Sequence, residues 1–207
     1  MNDDGAMNPD EPYRICVVCS GNICRSPIAE VVLRALAERQ SLGGRVVVDS
    51  AGTGDWHVGE RADLRALRVL AGAGYDGEAH RARQFDPEWF AERDLVLALD
   101  RGHARTLRAW APDDEQREKV RLLRSFDPGA EPGAELDVPD PYYDGEDVFR
   151  EVLDQIEAAC AGVLDHVRTE LGLPPAAAAG APTGLDLDGE DADVLPRAGF
   201  DPASTHG

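Results

Sequence analysis

The chain has 207 residues, 43% of them apolar, enough for one domain with a buried core and too many for disorder throughout. Forty acidic residues against 21 basic ones leave a net charge of −19, which disfavours binding nucleic acid by neutralising its phosphates but permits a small basic pocket. Four cysteines, three of them clustered at Cys16, Cys19 and Cys24, do not make a disulfide scaffold. No apolar run is long enough to cross a membrane, and the N-terminus carries Asp3, Asp4, Asp10 and Glu11 where a secretory signal carries positive charge. The expectation is a cytoplasmic protein without membrane insertion, its residues 1–12 a flexible segment ahead of the domain.

The first element is Tyr13–Cys19, a mostly buried strand by its run of Ile15, Val17 and Val18. Ser20, Gly21 and Asn22 interrupt it. From Ser26 the spacing becomes helical through Ile28, Val31, Val32, Ala35 and Leu36, with Ser26 as N-cap and Pro27 at the first helical position. A second strand is expected at 45–49, a glycine-rich loop at 50–59, and a helix at 61–70 closed by Gly72 and Gly74. The continuous apolar run within 94–100 predicts a central parallel strand. A helix at 102–110, a short strand at 120–123 and a long amphipathic helix at 146–171 complete the pattern.

Strands alternating with helices imply an α/β fold, an open four-stranded parallel sheet flanked by helices on both faces. Ligands of such sheets bind beyond the carboxyl ends of the strands, where the loop after Cys19 falls. After Leu173 come two prolines, an alanine run and then Asp186, Asp188, Glu190, Asp191 and Asp193, with little apolar surface to offset chain ordering. The domain is therefore expected at 13–173 and an acidic, disordered tail at 174–207.

The stretch Cys19-Ser20-Gly21-Asn22-Ile23-Cys24-Arg25 has the chemistry of an oxyanion site. A cysteine ends a strand, a loop of small and polar residues follows, and an arginine opens a helix, so backbone N–H groups and a planar guanidinium surround one centre. The same donors favour a thiolate at Cys19, aimed at the bound phosphorus. Gly21 permits close backbone approach, and Asn22 is among the few residues that tolerate positive φ. The nucleotide-binding pattern GxxxxGK[ST] is absent, and the only lysine, Lys119, is far away in sequence. No second Cys or His pair completes a zinc site, and Cys16 should point away from the Cys19 loop, so neither metal nor cofactor is expected.

Extended to VVCSGNICRSPIAE, and continued through Ser50-Ala51-Gly52-Thr53-Gly54-Asp55-Trp56-His57, His80-Arg81-Ala82-Arg83-Gln84 and Asp140-Pro141-Tyr142-Tyr143, the sequence resembles the low-molecular-weight protein tyrosine phosphatase family, its actinobacterial members especially. The resemblance covers roughly residues 13–170. It implies hydrolysis of phosphotyrosine through a cysteinyl-phosphate intermediate, with Cys19 as nucleophile and Arg25 binding two phosphate oxygens. Ser20, Gly21, Asn22, Ile23 and Cys24 would supply the rest of the phosphate cradle, and the Ser26 hydroxyl would ease departure of the thiolate. The reaction also needs a general acid and base. Asp137, Asp140 and Asp144 are equally open on chemistry alone, and the resemblance selects Asp140.

Trp56, His57, Tyr142 and Tyr143 are expected at the pocket rim, where a flat apolar slot favours a phenyl phosphate. Asn22, Ser50 and His80 resemble residues that hold the phosphate loop, with Asp100 joining them. Cys24 offers redox protection, trapping an oxidised Cys19 as a disulfide. The partner is a tyrosine-phosphorylated protein or peptide, or a small aryl phosphate, met by a monomer. Two related chemistries compete. A protein arginine phosphatase usually carries Thr where Ile23 stands, and a thiol-dependent arsenate reductase needs further thiols, of which only Cys160 lies beyond Arg25.

Overall fold

The computed structural model describes residues 11–131 and 135–176. Its order is β1 (Tyr13–Cys19), α1 (Arg25–Arg39), β2 (Val46–Gly52), α2 (Leu64–Gly72), β3 (Leu95–Ala98), α3 (Arg101–Trp110), α4 (Asp114–Glu118), β4 (Val120–Leu122) and α5 (Glu146–Glu170), with 3-10 turns at Pro87–Glu92 and Leu123–Phe126. The four strands form one sheet in the order β2-β1-β3-β4, all pairs parallel.

Side-chain alternation in β1 builds a core on each face of this sheet. Ile15, Val17 and Cys19 face one way, into the larger core that α1, α2 and α5 complete; Cys16 and Val18 face the other, toward α3, Phe85 and Phe90. The long helix α5 buries Phe149, Val152, Leu153, Ile156, Val163, Leu164 and Val167, the three- and four-residue spacing that puts them on one stripe. Burying Phe149 alone contributes about 2–3 kcal/mol. Acidic Glu146 and Asp147 in the first turn and Arg168 in the last complement the helix dipole.

The strands and long helices fall where the apolar spacing put them, with three corrections. Strand β2 runs on to Gly52 because Ser50, Ala51 and Gly52 pair with Val17, Val18 and Cys19, so the glycine-rich loop starts later than expected. Helix α2 begins at Leu64, where the Asp63 carboxylate accepts from Arg65 N and caps it. Helix α1 begins at Arg25, so Ser26 is not its N-cap; Cys24 holds that position without a side-chain cap bond, and the Ser26 hydroxyl is turned to another use. Helix α4 and both 3-10 turns are too short to carry an apolar period. The expected N-terminal segment, apart from residues 11 and 12, and the expected tail, apart from 174–176, lie outside the described residues.

Parallel pairing brings the carboxyl ends of β1, β2 and β3 to one edge: Cys19 is opposite Gly52, and Val18 is opposite both Ala51 and Ala98. The loops that follow them converge there. Leu99 O accepts from Val138 N at 2.8 Å, which hooks the segment carrying Asp140 onto the end of β3.

Candidate active site

Residues 20–24 wrap around a point at the end of β1, and four carbonyls along 19–23 are tied away from it. Cys19 O accepts from Thr53 N (2.8 Å), Ser20 O from Gly54 N (2.9 Å), Asn22 O from His80 Nε2 (2.8 Å) and Ile23 O from Asp63 N (2.7 Å). Every peptide bond here is trans, so the N–H on the other side of each plane points the opposite way. The amides of Ser20, Gly21, Ile23 and Cys24 are thereby aimed at the loop centre. Among the described residues, no protein acceptor takes the N–H groups of Gly21, Ile23 or Cys24. Such a nest, at the N-terminus of α1, is built for an oxyanion.

Asn22 holds the turn at φ 56°, the left-handed conformation expected of it. Its buried amide donates to Ser26 Oγ (2.9 Å) and Ser50 Oγ (2.8 Å) and accepts from Arg83 N (2.9 Å). Behind it Ser50 Oγ donates to Glu30 Oε2 at 2.5 Å, and His80 Nδ1 lies 3.4 Å from the same oxygen. Burial opposes ionisation of Glu30, but His80, Ser50 and Arg34 outweigh it and hold the carboxyl below its ordinary range. A buried carboxylate thus anchors Ser50 and His80, and these two hold Asn22.

Cys19 Sγ lies 3.0 Å from Ser26 Oγ. Ser26 already accepts from Asn22 and has one proton, shared between the sulfur and Ala51 O at 3.3 Å. A thiolate has no proton of its own, so in that state the hydroxyl donates to sulfur.

Arg25 is 3% exposed, and its guanidinium is oriented on three sides. Nη1 donates to Asp100 Oδ2 (2.9 Å) and Val138 O (3.1 Å), and Nη2 donates to Asp140 Oδ2 (2.8 Å). Among the described residues no protein acceptor takes the Nε–H, which with Nη2 forms an edge that matches two oxygens of a phosphate. Burial opposes the charge on Asp100, yet the His103 N–H, His103 and Arg25 together keep its carboxyl below the usual range.

The pocket, about 240 Å³, is lined by Cys19, Ser20, Gly21, Ile23, Cys24, Arg25, Trp56, His57, Asp140, Tyr142 and Tyr143. All four expected rim residues are in it. Trp56 and Tyr143 are 69% and 94% exposed, and Tyr142 meets Tyr143 edge to face at 4.9 Å. A Cβ on Gly54 would run into the Trp56 ring, so only glycine lets the indole lie where it does. Arg65 ties this rim down: it donates to Tyr142 O (3.0 Å) and Asp144 O (2.7 Å) while its other edge grips the Asp63 carboxylate.

Of the three open carboxylates, Asp140 alone lines the pocket; Asp137 accepts from Arg101 N at 2.9 Å. The supporting residues Ser50 and His80 meet at Asn22, and Asp100 joins through Arg25. Cys24 lines the pocket, and burial, with Asp63 beside it, pushes its thiol well above the ordinary range. Cys16 and Cys160 are fully buried away from it, Cys160 in contact with α1. Sequence reasoning passed over Glu30, Arg83 and His103. The available signals were a carboxylate inside the apolar run of α1 and a histidine three residues after Asp100. Among the described residues no cluster of His, Cys, Asp and Glu could hold a metal.

Comparison with known proteins finds relatives of this chain. Residues 14–172 match the family described as low molecular weight phosphotyrosine protein phosphatase. A low molecular weight protein-tyrosine-phosphatase of Streptomyces coelicolor is 57% identical over 77% of this chain and 96% of its own length. The low molecular weight protein-tyrosine phosphatase A of Mycobacterium tuberculosis is 47% identical over 78% and 95%. Among solved structures, a protein tyrosine phosphatase from Entamoeba histolytica superposes with a TM-score of 0.71 at 32% identity, covering 77% of this chain and 98% of that one. YfkJ from Bacillus subtilis gives 0.71 at 31%, covering 77% and 97%.

Proposed function

The chain belongs to the low molecular weight phosphotyrosine protein phosphatase family, and from that premise we propose how its own residues hydrolyse phosphotyrosine. The Cys19 thiolate attacks phosphorus, forming the S–P bond as the bond to the tyrosyl oxygen breaks. Asp140, protonated, gives its proton to that oxygen, so the product leaves as a phenol. Asp140, now a carboxylate, takes a proton from water as the water oxygen bonds phosphorus and the S–P bond breaks. Ser26 donates to the departing thiolate. The loop amides and the free edge of Arg25 hold the phosphoryl oxygens throughout, most strongly where charge spreads in the transition state.

One observation carries this reading: Cys19, the Arg25 fork and Asp140 line a single slot walled by Trp56, Tyr142 and Tyr143. The slot suits the flat ring of phosphotyrosine, on a protein or peptide or as a small aryl phosphate. Ile23, apolar and in the pocket lining, gives a phosphoguanidine no polar partner, which disfavours an arginine phosphatase. Cys160 is buried away from Cys19, so it does not supply a further thiol to the relay that arsenate reduction requires.

Ser50, His80 and Asp100 act as supports, and Cys24 as the resolving thiol that protects an oxidised Cys19. The domain spans 13–173, and the chain works as a cytoplasmic monomer. Among the described residues no helix is long and apolar enough to cross a membrane. The test is turnover of phosphotyrosine and phosphoarginine peptides under reducing conditions by wild type, Cys19→Ser and Asp140→Ala. Selective phosphotyrosine release, abolished by the first substitution and sharply reduced by the second, is the expected result; preference for phosphoarginine overturns it.

A further inference from the structure

We infer that His103 is a positioning residue for this reaction, fixing through Ser20 the first peptide units of the anion-binding loop relative to the carboxylate that orients Arg25. The imidazole lies on α3, 5% exposed, with Nε2 2.9 Å from Ser20 Oγ. Its Nδ1 lies 3.0 Å from Asp100 Oδ2, a close approach that is not aligned as a hydrogen bond. The same Asp100 accepts from His103 N through Oδ1 (2.8 Å) and from Arg25 Nη1 through Oδ2 (2.9 Å). One side chain therefore touches both halves of the cradle: the residue that follows the nucleophile, and the anchor of the arginine.

The protons follow from these contacts. With the Asp100 carboxylate 3.0 Å from Nδ1, its negative charge favours a hydrogen there over a lone pair, so Nδ1 carries the hydrogen. Burial, against the pull of Asp100, lowers His103 to about 4, so the ring is neutral near pH 7. Its Nε2 is then an acceptor, and Ser20 Oγ–H donates to it. Ser20 is thus gripped at both ends, its hydroxyl by α3 and its carbonyl by Gly54 N at 2.9 Å. The plane between Ser20 and Gly21, which aims the Gly21 amide at the phosphoryl group, cannot rotate without breaking one grip. Donors held in this way need no reorganisation as charge develops. A neutral ring also leaves the Asp100 charge to Arg25, where an imidazolium would compete for it.

The inference rests on the phosphotyrosine phosphatase reading, whose own failure would appear as an inactive wild type. The experiment measures kcat and KM on a phosphotyrosine peptide, inhibition by inorganic phosphate and the thermal midpoint. It uses the full chain as wild type, His103→Asn, His103→Gln, Ser20→Ala and the His103→Asn/Ser20→Ala pair. Asn reaches only the Asp100 side of the imidazole, whereas Gln places an amide near the Nε2 position.

The expected result is a loss of about tenfold in kcat for His103→Asn and for Ser20→Ala, the kinetic equivalent of one aligned hydrogen bond, with KM changed by less than about twofold. The double variant then loses no more than either single one, and His103→Gln recovers most of the loss. Multiplied losses in the double variant overturn the inference. So do equal losses in the Asn and Gln variants that track a lowered thermal midpoint, since a structural histidine alone would give them. Ser20→Ala removes one partly buried hydroxyl and keeps the question answerable even if a His103 variant folds poorly.

Discussion

Arg25 Nη2 donates to Asp140 Oδ2 at 2.8 Å, so the cation that receives phosphate and the carboxylate assigned to the leaving group are ion-paired before substrate enters. A phosphate dianion on the guanidinium would compete with Asp140 for that charge. Asp140→Ala is expected to lower kcat by about 10²–10³ on a phosphotyrosine peptide, within the range of a lost general acid. The loss should shrink on an aryl phosphate with an acidic phenol, which leaves without a proton. Equal losses on both substrates would assign the acid elsewhere.

Asn22 combines a left-handed backbone with three side-chain hydrogen bonds in a fully buried position. Asn22→Ala leaves Ser26, Ser50 and the Arg83 amide each short of a partner and puts a Cβ residue where φ is unfavourable. The expectation is a destabilisation of about 2–4 kcal/mol in urea titration and a fall in kcat. Asn22→Gly relieves the backbone alone, so it should recover stability by only part of that amount.

What could be read in the sequence follows from how locally it was written. The path from β1 through the loop to α1 is contiguous, so the apolar run of Ile15, Val17 and Val18 and the periodicity after Ser26 suffice to place Cys19 and Arg25 around one centre. Ser26 has the right side chain for an N-cap, but the fold turns its hydroxyl to the Cys19 sulfur. Glu30 bonds Ser50, 20 positions away, and His103 bonds Ser20, 83 positions away, and such pairings exist only once the sheet has assembled. Asp140 lay in an irregular segment without periodicity and was selected by resemblance alone.

The depressed His103 has a consequence for acid stability. Between about 4 and its ordinary 6.5 the folded chain leaves this ring unprotonated while the unfolded chain binds a proton. The contribution to stability is therefore present above pH 6.5 and is lost as pH falls through that window. Asp100, Asp140 and Asp137 favour the proton, Arg25 opposes it, and burial outweighs the carboxylates. Urea midpoints at pH 7 and pH 5 should accordingly differ less for His103→Gln than for wild type. An unchanged difference would mean that His103 titrates normally.

Cys24 lines the same pocket as Cys19, and its thiol is held protonated by burial and by Asp63. Hydrogen peroxide should oxidise Cys19 to a sulfenic acid, and the Cys24 thiol should then displace its hydroxyl as water to form a disulfide. Wild type is expected to recover most of its activity with dithiothreitol after peroxide, and Cys24→Ser to recover little. The mass of the oxidised protein, two hydrogens lighter than the reduced one, checks the product.

Strand β1 lies inside the sheet, paired with β2 along its whole length and with β3 over Ile15 to Val18. A loop leaving an edge strand can fray while the rest of a domain stands; this one leaves the strand around which both cores are packed. Loosening its base exposes apolar surface on two faces at once, so its opening free energy approaches that of the whole domain. The amides of β1 should then exchange with deuterium at the slowest rates in the molecule. Heat should abolish catalysis and compactness in one transition, with no range of temperature in which a folded but inactive protein accumulates.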